Sequence, residues 1–219
     1  VETAGEIKGA FTIGGTVAAP AASGSIEGRK LQLALVDQGL QLSGGEFDLS
    51  FSRDRLRLDR LSFVSPNRVK PRDSRIPLAR LTATPGTLTG SGELARDSGA
   101  GQFSFAADRL PLLQREDRWM ILSGSGSATT SWTSLRLDAD FRADAGYLEF
   151  AESLPPSLSD DVVVLGRDEV RPEGGFAVEA DVRVGLGDAL YLSALGLESR
   201  LEGELRLRLR PGLPLSAVG

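Results

Sequence analysis

Residues 201–209 alternate without interruption: Leu201, Gly203, Leu205, Leu207 and Leu209 fall between Glu202, Glu204, Arg206 and Arg208. A helix would scatter those leucines around its circumference, whereas a strand points them all one way and every charge the other. The run predicts one half-buried strand. The same period recurs between Lys30 and Val64 in short sets: Leu31, Leu33, Leu35; Leu40, Leu42; Phe47, Leu49, Phe51; Leu56, Leu58; Leu61, Phe63. Asp37-Gln38-Gly39, Ser43-Gly44-Gly45 and Ser52-Arg53-Asp54 lie between sets and carry turn chemistry. Together they predict an antiparallel meander that reverses roughly every six to ten residues. Sustained helical periodicity is absent, so helices should be few and short, with Pro111–Trp119 and the turn around Pro155–Ser159 as candidates.

A second pattern sets an apolar residue, a spacer and a glycine in sequence, as in Leu88-Thr89-Gly90, Leu122-Ser123-Gly124 and Leu201-Glu202-Gly203, with weaker copies at Ile7-Lys8-Gly9 and Ile26-Glu27-Gly28. In strand geometry these glycines fall on the apolar face, where a missing side chain lets a sheet bend or a neighbour approach. Residues 65–77 hold three prolines and concentrate positive charge on Arg68, Lys70, Arg72 and Arg75, which reads as a long solvated loop. Ala18–Gly24 reads as a small-residue connector.

Cysteine and histidine are both absent, which excludes disulfides, thiolate or imidazole metal sites, and Ser-His-Asp or Cys-His catalysis within this chain. No catalytic residue, metal ligand or cofactor is nominated. With 25 basic and 30 acidic residues the net charge is −5, which argues against nucleic acid as a partner. The longest aliphatic run, Val162–Leu165, is far short of the roughly 18 residues that span a bilayer as a helix. Starting at Val1 and ending on Gly219, the sequence reads as an excised fragment.

About fourteen strands with one leucine-rich face each must cover that face, because exposed apolar area costs roughly 25 cal/mol per Å². Stacked at about 4.8 Å, they would extend on the order of 65 Å. A transmembrane barrel fits poorly, since aromatic residues make up only 6% of the chain and form no girdles. The pattern leaves open a packed sandwich and one long sheet curled around an apolar groove.

Several segments resemble the TamB family, the inner-membrane partner of the translocation and assembly module, related to AsmA-like proteins. They are Gly101-Gln102-Phe103-Ser104-Phe105-Ala106-Ala107-Asp108-Arg109-Leu110-Pro111-Leu112, Trp119 to Gly124, Ala143 to Leu148, Pro155 to Val164, and Gly187-Asp188-Ala189-Leu190-Tyr191-Leu192 onward to Leu209. Their order matches a section near the C-terminal end of such proteins, over roughly residues 85–219. The resemblance implies an all-β fold: a long, curved, antiparallel-rich sheet, the β-taco, with an open groove and apolar interior, and residues 1–219 as a single fragment of it. It further implies phospholipid movement across the periplasm of a Gram-negative bacterium, with the full-length protein anchored in the inner membrane. The outer-membrane barrel partner TamA would be met through parts outside this fragment.

On that reading the candidate groove lining is Leu31, Leu33, Leu35, Phe47, Leu49, Phe51, Leu135, Leu137, Leu205, Leu207 and Leu209, and the ligand is the phospholipid acyl chain. Each acyl CH₂ withdrawn from water is worth about 0.8 kcal/mol, so two long chains face a barrier of roughly 20 kcal/mol without a continuous apolar path. The same leucines would equally pack an ordinary core. Asp160 and Asp161 are adjacent, so on a strand they point to opposite faces and share no chemistry. Trp119 and Trp132 read as core or groove packing. A second reading makes the chain a scaffold for outer-membrane protein and autotransporter assembly, and exposed sheet edges would also permit self-association.

Overall fold

The computed structural model describes residues 2–16, 19–35, 39–150 and 176–219. Most of them lie in strands: β1 (Glu2–Thr16), β2 (Ala19–Leu35), β3 (Leu40–Phe51), β4 (Arg55–Ser65), β5 (Gly86–Ala95), β6 (Gly101–Gln114), β7 (Arg118–Thr130), β8 (Ser134–Phe150), β9 (Ala177–Gly185), β10 (Leu190–Ala194), β11 (Leu197–Leu201), β12 (Glu204–Leu209) and β13 (Ser216–Val218). The helix among the described residues, α1 (Leu78–Leu81), is a single turn. All thirteen strands belong to one curved sheet that stays open instead of closing into a barrel, and its first eight pair in chain order.

The strands are about twice as long as the alternating sets, and fewer reversals result. Ser43-Gly44-Gly45, expected as a turn, is a bulge inside β3, where the register against β4 shifts between Ser43 and Glu46. Likewise Leu58 and Leu61 belong to one strand, with Asp59 and Arg60 between their register positions against β5. Further shifts occur at Gly28/Leu31 in β2, at Ala107/Leu110 in β6, and opposite Ile121/Leu122 in β8. A bulge adds one residue to one strand, bends it and increases its twist. This oblique series of bulges curls the sheet while keeping the apolar residues on one face. Lys30 and Arg109 sit in two of the bulges with φ of 53° and 45°. The Ser52–Asp54 reversal is a turn as expected, with the Ser52 N–H donating to the Arg55 carbonyl at 2.8 Å.

Other local expectations are overturned. Pro111–Trp119 is no helix: it contains the end of β6 and the start of β7. Of the expected connector Ala18–Gly24, residues 19–24 belong to β2, which pairs with β1 from Thr16↔Ala19 onward, and Ala18 lies outside the described residues. The nine-residue run 201–209 is divided between β11 and β12 at Gly203, whose φ is +119°. Pro155–Ser159, Asp160 and Asp161 lie outside the described residues.

Beyond β8 the sheet forks. β8 pairs in parallel with β9 along residues 134–142 and again in parallel with β10 along residues 146–150. β12 then returns antiparallel to β9, and β11 antiparallel to β10. The thirteen strands thus form only eleven successive rows, giving about 48 Å across and not the 65 Å expected.

Buried side chains collect at one rim. On the inner face Leu42, Ala107, Leu110 and Leu122 form one cluster, with Phe63, Leu88 and Phe141 against it. On the outer face Trp119, Ile121, Ala145 and Tyr147 form another, covered by Ile76 with Val69, Leu78 and Leu81. Residues 66–82 therefore cross the outer face as a strap and do not stand free in solvent. Asn67 accepts a hydrogen bond from Trp119 Nε1 at 2.8 Å. Arg72 pairs with Glu149 at 3.0 Å, and Arg75 pairs with Asp73 at 2.5 Å while lying 4.3 Å above the Tyr191 ring.

Candidate functional site

The register carries each inner-face residue onto its neighbour and assembles three continuous ladders. The central one runs Ile26, Leu49, Leu58, Gly92, Phe103, Ala128, Leu137, Ala180 and Leu209. On the side of the clustered rim runs Ile7, Gly28, Phe47, Leu61, Gly90, Phe105, Gly126, Ala139, Val182 and Leu207. On the other side runs Phe51, Leu56, Leu94, Gly101, Thr130, Leu135 and Val178. No charged residue interrupts any of the three, and Thr130 is the one polar member.

Five glycines of this face have a specific use. A Cβ on Gly28 would fall within 3.0 Å of the Phe47 ring, and the same holds for Gly45 beneath Phe63, Gly92 beneath Phe103, Gly126 beneath Phe105 and Gly124 beneath Phe141. Each phenyl ring lies across the missing side chain of the adjoining strand. That fills the gap which a strand glycine otherwise leaves. The floor is consequently smooth apolar surface with no backbone polar groups laid bare at those points.

All eleven sequence-nominated residues lie on this one face, though not in one environment. Phe47, Leu49, Phe51, Leu135, Leu137, Leu207 and Leu209 are half-buried members of the ladders. Leu205 pairs with Val184 one position nearer the clustered rim and is 38% exposed. Leu31, Leu33 and Leu35 sit beyond the β2 bulge, and Leu33 packs against the inner cluster. Trp119 is fully buried on the outer face. Trp132 sits in the β7–β8 turn at the opposite rim, 60% exposed, with Nε1 donating to the Asp97 carbonyl at 3.0 Å.

Sequence reasoning missed Ile26, Leu58, Phe103, Phe105 and Val182 as members of the same ladders. It also missed the bulges that align them. A usable signal was present: two consecutive polar residues between apolar ones, Arg29-Lys30, Asp59-Arg60 and Asp108-Arg109, mark the positions where alternation skips a beat.

The outer face is charged and internally matched. Arg29 meets Asp48 at 2.6 Å, Arg60 reaches Glu46 and Asp48 at 3.1 Å, and Arg206 donates twice to Asp181 at 2.7 and 2.8 Å. The Arg206 hydrogen bonds hold the Asp181 carboxyl below its ordinary range, and the Arg29 hydrogen bond does the same for Asp48. Opposite polarity on the two faces fixes which side of the sheet can receive an apolar guest.

An open sheet, charged outside and apolar along an inner strip that none of the described residues covers, defines a trough-forming all-β protein. Residues 74–219, two thirds of the chain, match the TamB C-terminal domain. The chain belongs to the TamB family, bacterial envelope proteins with a role in lipid or protein transport and assembly. The match begins within the strap and includes every element from α1 onward, while β1–β4 extend the same sheet outside it. Comparison with curated proteins and with solved structures gives no match.

Proposed function

We propose that this chain is a segment of a periplasmic bridge whose trough carries phospholipid acyl chains between the inner and outer membranes of a Gram-negative bacterium, the full-length protein being anchored in the inner membrane. The role is non-enzymatic and needs no cofactor. The observation that carries the proposal is the uncharged inner strip continuous from β1 to β12. A peptide laid in the same strip would bury N–H and C=O groups against a surface that offers them no partners, which is costly. An alkyl chain has no such groups. The strip thus suits lipid better than an extended polypeptide.

A second reading, a scaffold for outer-membrane protein and autotransporter assembly with the barrel partner TamA, is favoured by a different observation. Among the described strands β1 pairs only with β2, leaving an edge with Ile7, Phe11 and Ile13 68–70% exposed. Free edges accept strands through main-chain hydrogen bonds, from a client or from a second copy.

Site-specific photo-crosslinking in cells tests the choice, with the probe at Leu207 and a control at Arg206 on the other face. Phospholipid adducts at Leu207 and none at Arg206 are the expected result. Protein adducts alone would favour the scaffold, and silence at Leu207 would overturn the trough reading.

A further inference from the structure

The two long rims of the trough are built differently. At one rim Ser65 of β4 pairs with Gly86 of β5, so neither strand projects a bulky side chain there. Leu42 from β3 and Leu110 from β6 close over them, at 5% and 6% exposure, and Ala143 from β8 is 1% exposed in line with Leu122. The Ser65 hydroxyl is satisfied by donating to the Gln41 carbonyl at 2.6 Å. Behind this seam the strap packs onto the outer face, so the sheet is covered on both sides at this rim. Among the described residues, Ala139 is the one buried apolar side chain that belongs to the three ladders.

At the opposite rim none of the described residues covers the inner face, but the turns are tied to one another. Arg96 Nη1 donates to the Ser52 carbonyl at 2.8 Å, and the Arg96 N–H donates to the Asp54 carbonyl at 2.8 Å, joining the β3–β4 turn to the β5–β6 turn. Trp132 then joins the β7–β8 turn through its Nε1 bond to Asp97 and its N–H bond to the Ser98 carbonyl at 3.3 Å. Three successive turns therefore form one polar lip beside the apolar strip.

We infer that the trough is one-sided: acyl chains occupy only the three ladders beside the lip, phospholipid headgroups ride along the lip itself, and the Leu42–Leu110 seam carries no lipid. This rests on the lipid reading above and deepens it. Alkyl chains need apolar surface that the protein's own side chains have left unfilled, and Leu42, Leu110, Leu122 and Ala143 at the seam are only 1–7% exposed. A headgroup needs water and polar neighbours next to that surface, which the Arg96 and Trp132 turns supply. Leu33, packed against the inner cluster, thereby moves from the cargo path to the supporting seam.

The absence of cysteine makes the test clean, since one introduced cysteine gives one label. A bimane fluorophore is attached to Phe51→Cys and Leu94→Cys in the strip, Phe63→Cys and Phe141→Cys beside the seam, and Ser104→Cys on the outer face. Only variants that keep the parent's urea midpoint are used, and strip and seam have two positions each so that one failure to fold leaves their comparison intact. The chain is mixed with phosphatidylethanolamine–phosphatidylglycerol vesicles whose acyl chains are brominated. Loss of fluorescence at 51 and 94, with none at 63, 141 and 104, is expected. Equal loss at strip and seam positions would overturn the one-sided path while leaving the trough reading in place. No loss at any inner position, or loss at 104 as large as at 51, would overturn both.

Discussion

Gly86→Ala adds one methyl group at the point where the seam closes. The new Cβ would lie 2.7 Å from the Arg109 carbonyl carbon and 2.8 Å from Leu110 Cα, and closer still to the Arg109 carbonyl oxygen. These are backbone atoms at a bulge, so no side-chain rotation relieves the clash and β6 must move away from β5. Overpacking of this kind costs about 1–3 kcal/mol. The displacement also draws Leu110 off Leu42, and losing part of the burial of two leucines, each worth about 1.5–3 kcal/mol when complete, brings the total to about 4 kcal/mol. With a urea slope of about 3 kcal/mol per M, the midpoint falls by about 1.3 M. Trp119, fully buried under the strap at the same rim, reports the transition by fluorescence. Gly14→Ala is the matched control: nothing lies within 4 Å of its added methyl, and a gain of up to about 1 kcal/mol is expected from a less flexible unfolded chain. Equal midpoints for the two variants would refute the claim that the Ser65–Gly86 closure holds this rim together.

Asn67→Ala removes the acceptor of Trp119 Nε1 and leaves a fully buried donor unpaired, so urea unfolding should show a loss of about 1–3 kcal/mol; an unchanged midpoint would mean the strap does not depend on that bond. Leu207→Arg puts a charge into the ladder beside Val182 at a half-buried position; stability should fall by only about 1 kcal/mol while transfer of a fluorescent phospholipid between vesicles is lost, and retained transfer would sink the lipid path. Asp181 and Asp48 are held below their ordinary value of 3.8, so they contribute stability above that value and lose it as pH falls through their lowered folded values. Asp181→Asn should therefore flatten the acid limb of a stability–pH curve below about pH 4, and an acid limb identical to the parent's would contradict the Arg206 pairing.

The one-faced apolar pattern was legible because period-two alternation is a direct image of strand geometry, and all eleven nominated residues share the face it defined. Strand lengths were not, because a bulge and a turn use the same residues: Ser43-Gly44-Gly45 reads as a reversal, yet the chain continues through it with Gly44 at φ +56°. Pro111 misled for a related reason. It suggested a helix start, whereas it occupies a β6 position facing Ile121, next to the register shift that separates it from Leu113. The strap was hidden by its charge. Arg72 and Arg75 look solvated in the sequence, but their partners Glu149 and Glu198 are distant along the chain, and Ile76 between prolines gives no periodic sign that it is buried. The division of the leucines into seam and strip depended on which strands stand opposite Ser65 and Gly86, a long-range fact that no local pattern records.

A sheet whose apolar face the described residues leave largely uncovered must take its stability from elsewhere, and the magnitudes say where. The outer ion pairs are mostly exposed, with Arg206 at 45% and Arg60 at 54%, and solvent screens such pairs so that each contributes little. They match the face and keep it polar more than they hold it together. The continuous backbone ladder from β1 to β13 and the doubly covered rim supply the rest. Volume changes at Leu110 or Trp119 should therefore be felt strongly, while changes of similar size at Leu137 or Leu209 should be tolerated, because half-buried side chains leave little cavity behind. A conduit requires this separation. If the strip supplied the folding energy it would have to be covered, and a covered strip has no room for cargo; placing the core at one rim lets the remaining apolar surface stay open without unfolding the sheet.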